Sequence, residues 1–148
     1  MPWWIDRTRR LRHYLSRLEV WELERFGRSG LSVISRQSVA VLVTTGRRTG
    51  AVRKTPVTIT PYENGFLIGG GAGGQKATPD WVHNLRANPN AQLIFRRRDA
   101  REMTVDEPIG EDRERAYAAM VAAYPDVQRY EEWGERPLPL FVLRPASS

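Results

Sequence analysis

The sequence predicts an α+β domain built around a closed or partly closed barrel of antiparallel strands. Three observations carry that expectation: short β-rich runs take over from Val39 onward, a tight-hairpin signal at Asn64-Gly65 joins two of them, and only two helical stretches interrupt them. A βαβ nucleotide fold would alternate strands and helices throughout, and this chain does not. The length of 148 residues suits one domain, 1–148, with an N-terminal helical segment over 1–37 and a barrel core over 38–145.

Residues 7–26 place Leu11, Leu15 and Leu18 at helical spacing, with Tyr14 and Trp21 on an adjoining stripe, so an amphipathic helix is expected there. Its other face carries Arg9, Arg10, Arg12 and Arg17. Two readings stand: a helix that caps the core and turns a basic face to water, or, with Trp3 and Trp4 ahead of it, a helix resting on an anionic membrane. After a short Ser35–Ser38 link come about six strands, at Val39–Thr45, Arg53–Thr60, Phe66–Gly69, Ala91–Arg96, Glu102–Val105 and Leu138–Leu143. Arg97-Arg98-Asp99 turns the fourth into the fifth. Thr78-Pro79-Asp80 reads as a helix start with Thr78 as N-cap and Pro79 in the first helical position, and Asn88-Pro89-Asn90 ends that helix. A second helix is expected over Glu111–Ala123, broken by Pro125.

Composition narrows the chemistry. The chain has no cysteine and two histidines, His13 and His83, which excludes structural zinc, iron–sulfur clusters and thiol catalysis; no metal site is expected. The apolar run Val39–Val43 is far short of the ~20 residues that span a bilayer, so a cytoplasmic protein is expected, membrane-associated only through its N-terminal helix. Net charge is +6, which calls for an acidic partner. The charge is also localised: no acid lies between Glu24 and Glu63, whereas Arg47, Arg48, Arg53 and Lys54 fall within eight residues.

Two stretches concentrate candidate binding groups. In Thr44-Thr45-Gly46-Arg47-Arg48-Thr49-Gly50-Ala51-Val52-Arg53-Lys54-Thr55-Pro56, two glycines let a strand reverse while cations and hydroxyls crowd the turn. Guanidinium groups beside backbone N–H donors suit phosphate and carboxylate oxygens, although a basic hairpin tip in water has the same composition. Pro56 within a strand indicates an edge or a bulge. The second stretch, Gly69-Gly70-Gly71-Ala72-Gly73-Gly74-Gln75-Lys76, matches G-x-G-x-x-G in form only. It lacks the acid about 20 residues further on that holds a ribose, and it has no Gly-Lys-Ser/Thr ending. What remains is backbone that a planar or phosphorylated ligand can approach closely, with a helix N-terminus following.

Together these segments, with Pro79-Asp80-Trp81-Val82-His83-Asn84-Leu85, Ala87-Asn88-Pro89, Tyr124-Pro125 and Leu138-Pro139-Leu140-Phe141-Val142, resemble the deazaflavin-dependent nitroreductase family over residues 38 to 145. The resemblance implies a split β-barrel of the FMN-binding type that takes coenzyme F-420, a deazaflavin with a polyanionic tail, and passes hydride to a quinone, nitroaromatic or similar acceptor. It places Arg47, Arg48, Thr49, Arg53 and Lys54 on the tail, and Thr55, Pro56 and Val57 along the ring and its side chain. It sets Gly69, Gly70, Gly71, Ala72 and Gly73 against the phosphate or ring edge, with Trp81 and Asn84 closing the pocket. Tyr124 and Tyr130 match tyrosines over the ring, where they would contact the acceptor or pack; Val127 stands at a third such position. Many relatives carry Ser and Lys where this chain has Gly71 and Ala72.

Three rival expectations are FMN in the same barrel, a non-enzymatic carrier of the deazaflavin, and a nucleic-acid binder. The last is disfavoured because aromatic residues do not interleave with Arg96-Arg97-Arg98. A small-molecule acceptor is therefore the expected partner, with no nucleic acid and a monomer or homodimer as the assembly.

Overall fold

The computed structural model describes Val20 and residues 38–70, 77–95, 99–134 and 137–146. The expected N-terminal helix, Gly71, Ala72, Gly73, Lys76 and most of the Arg97-Arg98-Asp99 turn lie outside the described residues. Seven strands form one sheet: β1 Val39–Thr45, β2 Val52–Thr58, β3 Thr60–Tyr62, β4 Gly65–Gly69, β5 Asn90–Ile94, β6 Ala100–Asp106 and β7 Leu140–Pro145. Helix α1 spans Asp80–Ala87, α2 Gly110–Ala123 and α3 Val127–Gly134.

Chain connectivity explains why the sheet curls. Its order is β2-β1-β5-β6-β7-β4-β3 with antiparallel pairing throughout, so β2 and β3 stand at opposite edges although only Ile59 separates them in the chain. A flat sheet cannot place adjacent residues at both of its edges; the curled half-barrel of an α+β split β-barrel can. Ile59 makes the crossing by donating its N–H to the Ser38 carbonyl at 2.9 Å while its side chain enters the core.

Strand alternation sorts the apolar residues onto two faces. Ala40, Leu42, Val57, Ile68, Leu93, Phe141 and Leu143 point inward, where Trp81, Val82 and Leu85 of α1 close the barrel. Leu67, Leu140 and Val142 point outward and are covered by Ala116 and Met120 of α2 and Val127 of α3. Each helix thus seals one face.

Four expectations change in detail. The run Arg53–Thr60 divides at Ile59, giving seven strands where six are expected, because the chain exchanges β1 for β4 as its partner there. Helix α1 begins one residue late: Pro79 is the N-cap, extended at φ −60° and ψ 147°, and no side chain caps the helix. Helix α3 follows Pro125 where no helix is expected. The hairpin turn is Glu63-Asn64, with Tyr62 opposite Gly65 and Glu63 left-handed at φ 51°. Gly65 therefore serves packing: a Cβ there would meet the Leu143 carbonyl oxygen at 1.9 Å.

A polar latch joins the outer helices to the segment that leads into β7. Tyr117 Oη donates to Glu131 Oε2 at 2.8 Å, the Leu138 N–H donates to Glu131 Oε1 at 2.6 Å, and Arg113 Nη2 donates to the Leu138 carbonyl at 2.8 Å. Burial, then the bond to Glu131, pushes the Tyr117 phenol from 10.0 up to about 12. A raised folded-state value means that the unfolded chain releases this proton first. The stabilisation is whole below pH 10 and is lost as pH climbs toward 12. Urea unfolding midpoints should fall across that window, and Tyr117→Phe should flatten the fall; an equally steep decline in the variant would count against the latch.

Candidate functional site

The β1–β2 hairpin is drawn tight by its backbone. Gly46 N–H donates to the Ala51 carbonyl at 2.7 Å, and Gly50 N–H to the Gly46 carbonyl at 2.8 Å. Gly50 takes φ +72°, a conformation that favours glycine, and Thr49 Oγ1 accepts from Ala51 N–H at 3.2 Å. This turn sits over the first turns of α1. Asn84 Oδ1 accepts from both the Arg47 N–H, at 3.1 Å, and Arg47 Nη1, at 3.0 Å. Arg47 Nη2 lies 3.5 Å from the Asp80 carboxylate, whose side chain is 89% exposed.

Between the hairpin, β2 and α1 opens a cleft of about 890 Å³. Its polar wall carries Arg47, Arg48, Arg53 and Lys54 against one acid, Asp80. Thr49, Thr55, Trp81 and Asn84 also line it, and Val20 of the N-terminal segment borders it. Eight of the residues expected at the cofactor therefore meet in one place although 37 positions of chain separate Arg47 from Asn84. Within the cleft the side chains of Arg48 and Arg53 have no hydrogen-bond or ion-pair partner among the described residues, whereas Lys54 is engaged. Trp81 presents one edge here and packs its other side on Phe141 in the core, ring centroids 5.8 Å apart.

The other expected residues lie elsewhere. Pro56 and Val57 continue along β2 beyond the cleft, Pro56 half-buried on the free-edged strand and Val57 in the inner core. Gly69 and Gly70 are accounted for by packing: an added Cβ would stand 3.0 Å from Leu138 Cδ2 at Gly69 and 2.7 Å from Val82 Cγ2 at Gly70. Tyr124 Oη accepts from the Ser38 N–H at 3.3 Å and donates weakly to the Ile59 carbonyl at 3.5 Å. That places it at the end of β1 opposite the hairpin, roughly 20 Å away at about 3.4 Å per residue. Tyr130 belongs to α3, with its side chain outside the described residues.

Sequence reading singles out neither Thr44 nor the pairing of Asn84 with Arg47. Thr44 lies opposite Arg53 in the β1–β2 register, on the same strand face as Ala40 and Leu42. It is 3% exposed, and its Oγ1 finds no partner among the described residues. A buried hydroxyl without a partner is costly, which makes this position beside the cleft a natural one for a polar ligand group. Among the described residues no cluster of three His, Asp or Glu could hold a metal, and no helix is long and apolar enough to cross a membrane.

Comparison with known proteins places the chain among relatives. A family model described as F420H(2)-dependent quinone reductase matches residues 15–145. A Mycobacterium tuberculosis protein named as a candidate F420H(2)-dependent quinone reductase is 30% identical over 101 residues, covering 67% of this chain and 82% of that one. The solved structure of an F420-H2 dependent reductase superposes with a TM-score of 0.63 at 26% identity, over 72% of this chain and 93% of that one. A structure described as a domain-swapped dimer shares the fold, with a TM-score of 0.65 at 21% identity over 95% of this chain and 97% of the other.

Proposed function

The chain belongs to the F420H(2)-dependent quinone reductase family, and from that premise we propose that the hairpin cleft receives the polyanionic tail of coenzyme F-420. The protein is an oxidoreductase, and its cofactor is that deazaflavin. When bound, the coenzyme supplies hydride chemistry; the protein supplies binding, orientation and electrostatics.

The observation that carries the proposal is the pair of cations, Arg48 and Arg53, whose side chains stand on the wall of the cleft without a partner among the described residues. Charge-assisted bonds to phosphate and carboxylate oxygens would satisfy them. The residues present fit the coenzyme: cations and hydroxyls face the cleft, and on β1 beside it the buried Thr44 hydroxyl has no partner among the described residues. Thr55, Pro56 and Val57 follow the tail-binding cations along β2 and would hold the ring portion. Trp81 would limit water on the α1 side. Gly69, Gly70, Gly71, Ala72 and Gly73 would bound the pocket with their backbone.

Tyr124 and Tyr130 are proposed as contacts for the acceptor. A phenol donates to a quinone or nitro oxygen, and the 3.5 Å bond from Tyr124 to Ile59 is weak enough to exchange at little cost. Nitroaromatic compounds join quinones as proposed acceptors, since both present a flat electron-poor system with an exposed oxygen.

The test is to mix purified protein with reduced coenzyme F-420 and menadione and follow coenzyme oxidation by stopped flow. Protein-dependent oxidation is expected. Tight coenzyme binding without accelerated oxidation would instead support a carrier, and a protein purified with bound flavin and indifferent to the deazaflavin would support FMN.

A further inference from the structure

We infer that Asn84 is a positioning residue: it acts through Arg47 to hold the anion-binding hairpin in its ligand-ready shape. The inference rests on the proposal that this hairpin's cations receive the coenzyme tail. Asn84 is 4% exposed, one of few buried polar side chains among the described residues. Its Oδ1 receives two donors from one residue, the Arg47 main-chain N–H and Nη1. Because both groups facing that atom are donors, the oxygen and not the amide nitrogen must occupy the position.

This pair of hydrogen bonds to one acceptor fixes two things at once. The main-chain bond sets the path of the chain entering the turn, and the side-chain bond sets the direction of the guanidinium. Residues 47–50 are otherwise exposed, and the hairpin's own closure comes from the Gly46–Ala51 and Gly50–Gly46 bonds with the Thr49 hydroxyl. Asp80 adds little. Its 3.5 Å pairing with Arg47 is solvent-exposed, and pairs of that kind contribute weakly.

Arg47 is thus largely occupied, while Arg48, the next residue, stands on the cleft wall without a side-chain partner among the described residues. The division of labour follows from that contrast. Arg47 and Asn84 dock the turn on α1, and Arg48 and Arg53 meet the anion. A turn already ordered spares the ligand the cost of ordering it.

Asn84→Ala removes the acceptor, Asn84→Asp keeps one in place, and Arg47→Ala deletes only the side-chain half of the pin. Hydrogen exchange at the amides of Arg47 to Gly50, read without ligand, should quicken in Asn84→Ala, quicken less in Arg47→Ala and return toward wild type in Asn84→Asp. Full coenzyme F-420 should bind Asn84→Ala about tenfold more weakly, the scale of one lost hydrogen bond, while a tail-free deazaflavin binds unchanged. Unchanged exchange, or equal losses for both ligands, would overturn the inference. If Asn84→Ala does not fold, exchange in Arg47→Ala decides alone. Wild-type protein that binds no coenzyme would refute the functional reading, and the ligand-free exchange would still decide the role of Asn84.

Discussion

Gly65→Ala should be the most damaging small substitution in the barrel, lowering stability by about 3 kcal/mol or more, at or beyond the upper range for overpacking. The added Cβ would stand 1.9 Å from the Leu143 carbonyl oxygen, 2.9 Å from its carbon and 3.1 Å from Arg144 Cα. All three are backbone atoms of β7, so no rotamer change relieves the clash. Nor can β7 retreat, because Leu143 is held from its other side by Val105 of β6. The relief available is to open the β4–β7 pairing from Phe66–Leu143 to Gly69–Leu140, and with it the junction between the inner and outer cores. Thermal melting should show a midpoint lower by about 10 °C, given roughly 2–4 °C per kcal/mol at this size. Glu63→Gly is the companion control. It relaxes the left-handed turn residue and gives up only an exposed 3.3 Å pairing with Arg144 of β7, so it should be near neutral. Were Gly65 a turn residue, the order of the two effects would reverse.

The second large effect concerns affinity. Replacing Arg48 and Arg53 together by alanine should weaken binding of coenzyme F-420 by about 100-fold at low salt. Bonds between charged groups contribute roughly 1.5–3 kcal/mol each, and the lower figure suits side chains open to solvent. Two such losses amount to about 3 kcal/mol, or two decades. The change should be read by titration at several salt concentrations. Wild-type affinity should fall with added salt and the variant's should depend on it much less, because exposed charge interactions are screened. A tail-free deazaflavin should bind both proteins alike. An equal loss for that compound would move the cations from the tail to the ring.

The strands were readable in the sequence because each buries one or both faces, and two-residue alternation with turn residues between runs marks such segments well. The division at Ile59 was not. Thr58-Ile59-Thr60 continues a β pattern without interruption, and the exchange of β1 for β4 is a tertiary event that leaves no local mark. Helix α3 escaped for a different reason: Val127–Gly134 is only 8 residues, about two turns, and it follows directly on Pro125, which reads as a helix breaker. At the Asn64-Gly65 hairpin, turn propensity and packing compete for the same glycine, and the close approach of β7 decides the register.

The cationic side of the site was legible because charge placement needs no tertiary information. Its counterpart was legible only through the family resemblance, which names Asn84; the bond from Arg47 to Asn84 spans 37 positions and leaves no local mark. Thr44 likewise looks like one more strand threonine until its burial, without a partner among the described residues, is seen. The glycine run reads in the sequence as an approach surface, whereas Gly70 packs so closely that a Cβ would meet Val82 Cγ2 at 2.7 Å, and Gly69 lies tightly against Leu138 and Met120.

The central claim, a deazaflavin coenzyme seated in the hairpin cleft by its tail, is tested most directly by titrating the protein with coenzyme F-420 while following tryptophan fluorescence. Trp81 lines the cleft and should report occupancy. Saturable quenching at micromolar coenzyme, weaker for a tail-free deazaflavin, is the predicted result. No quenching at that concentration, or identical curves for the two compounds, would contradict it.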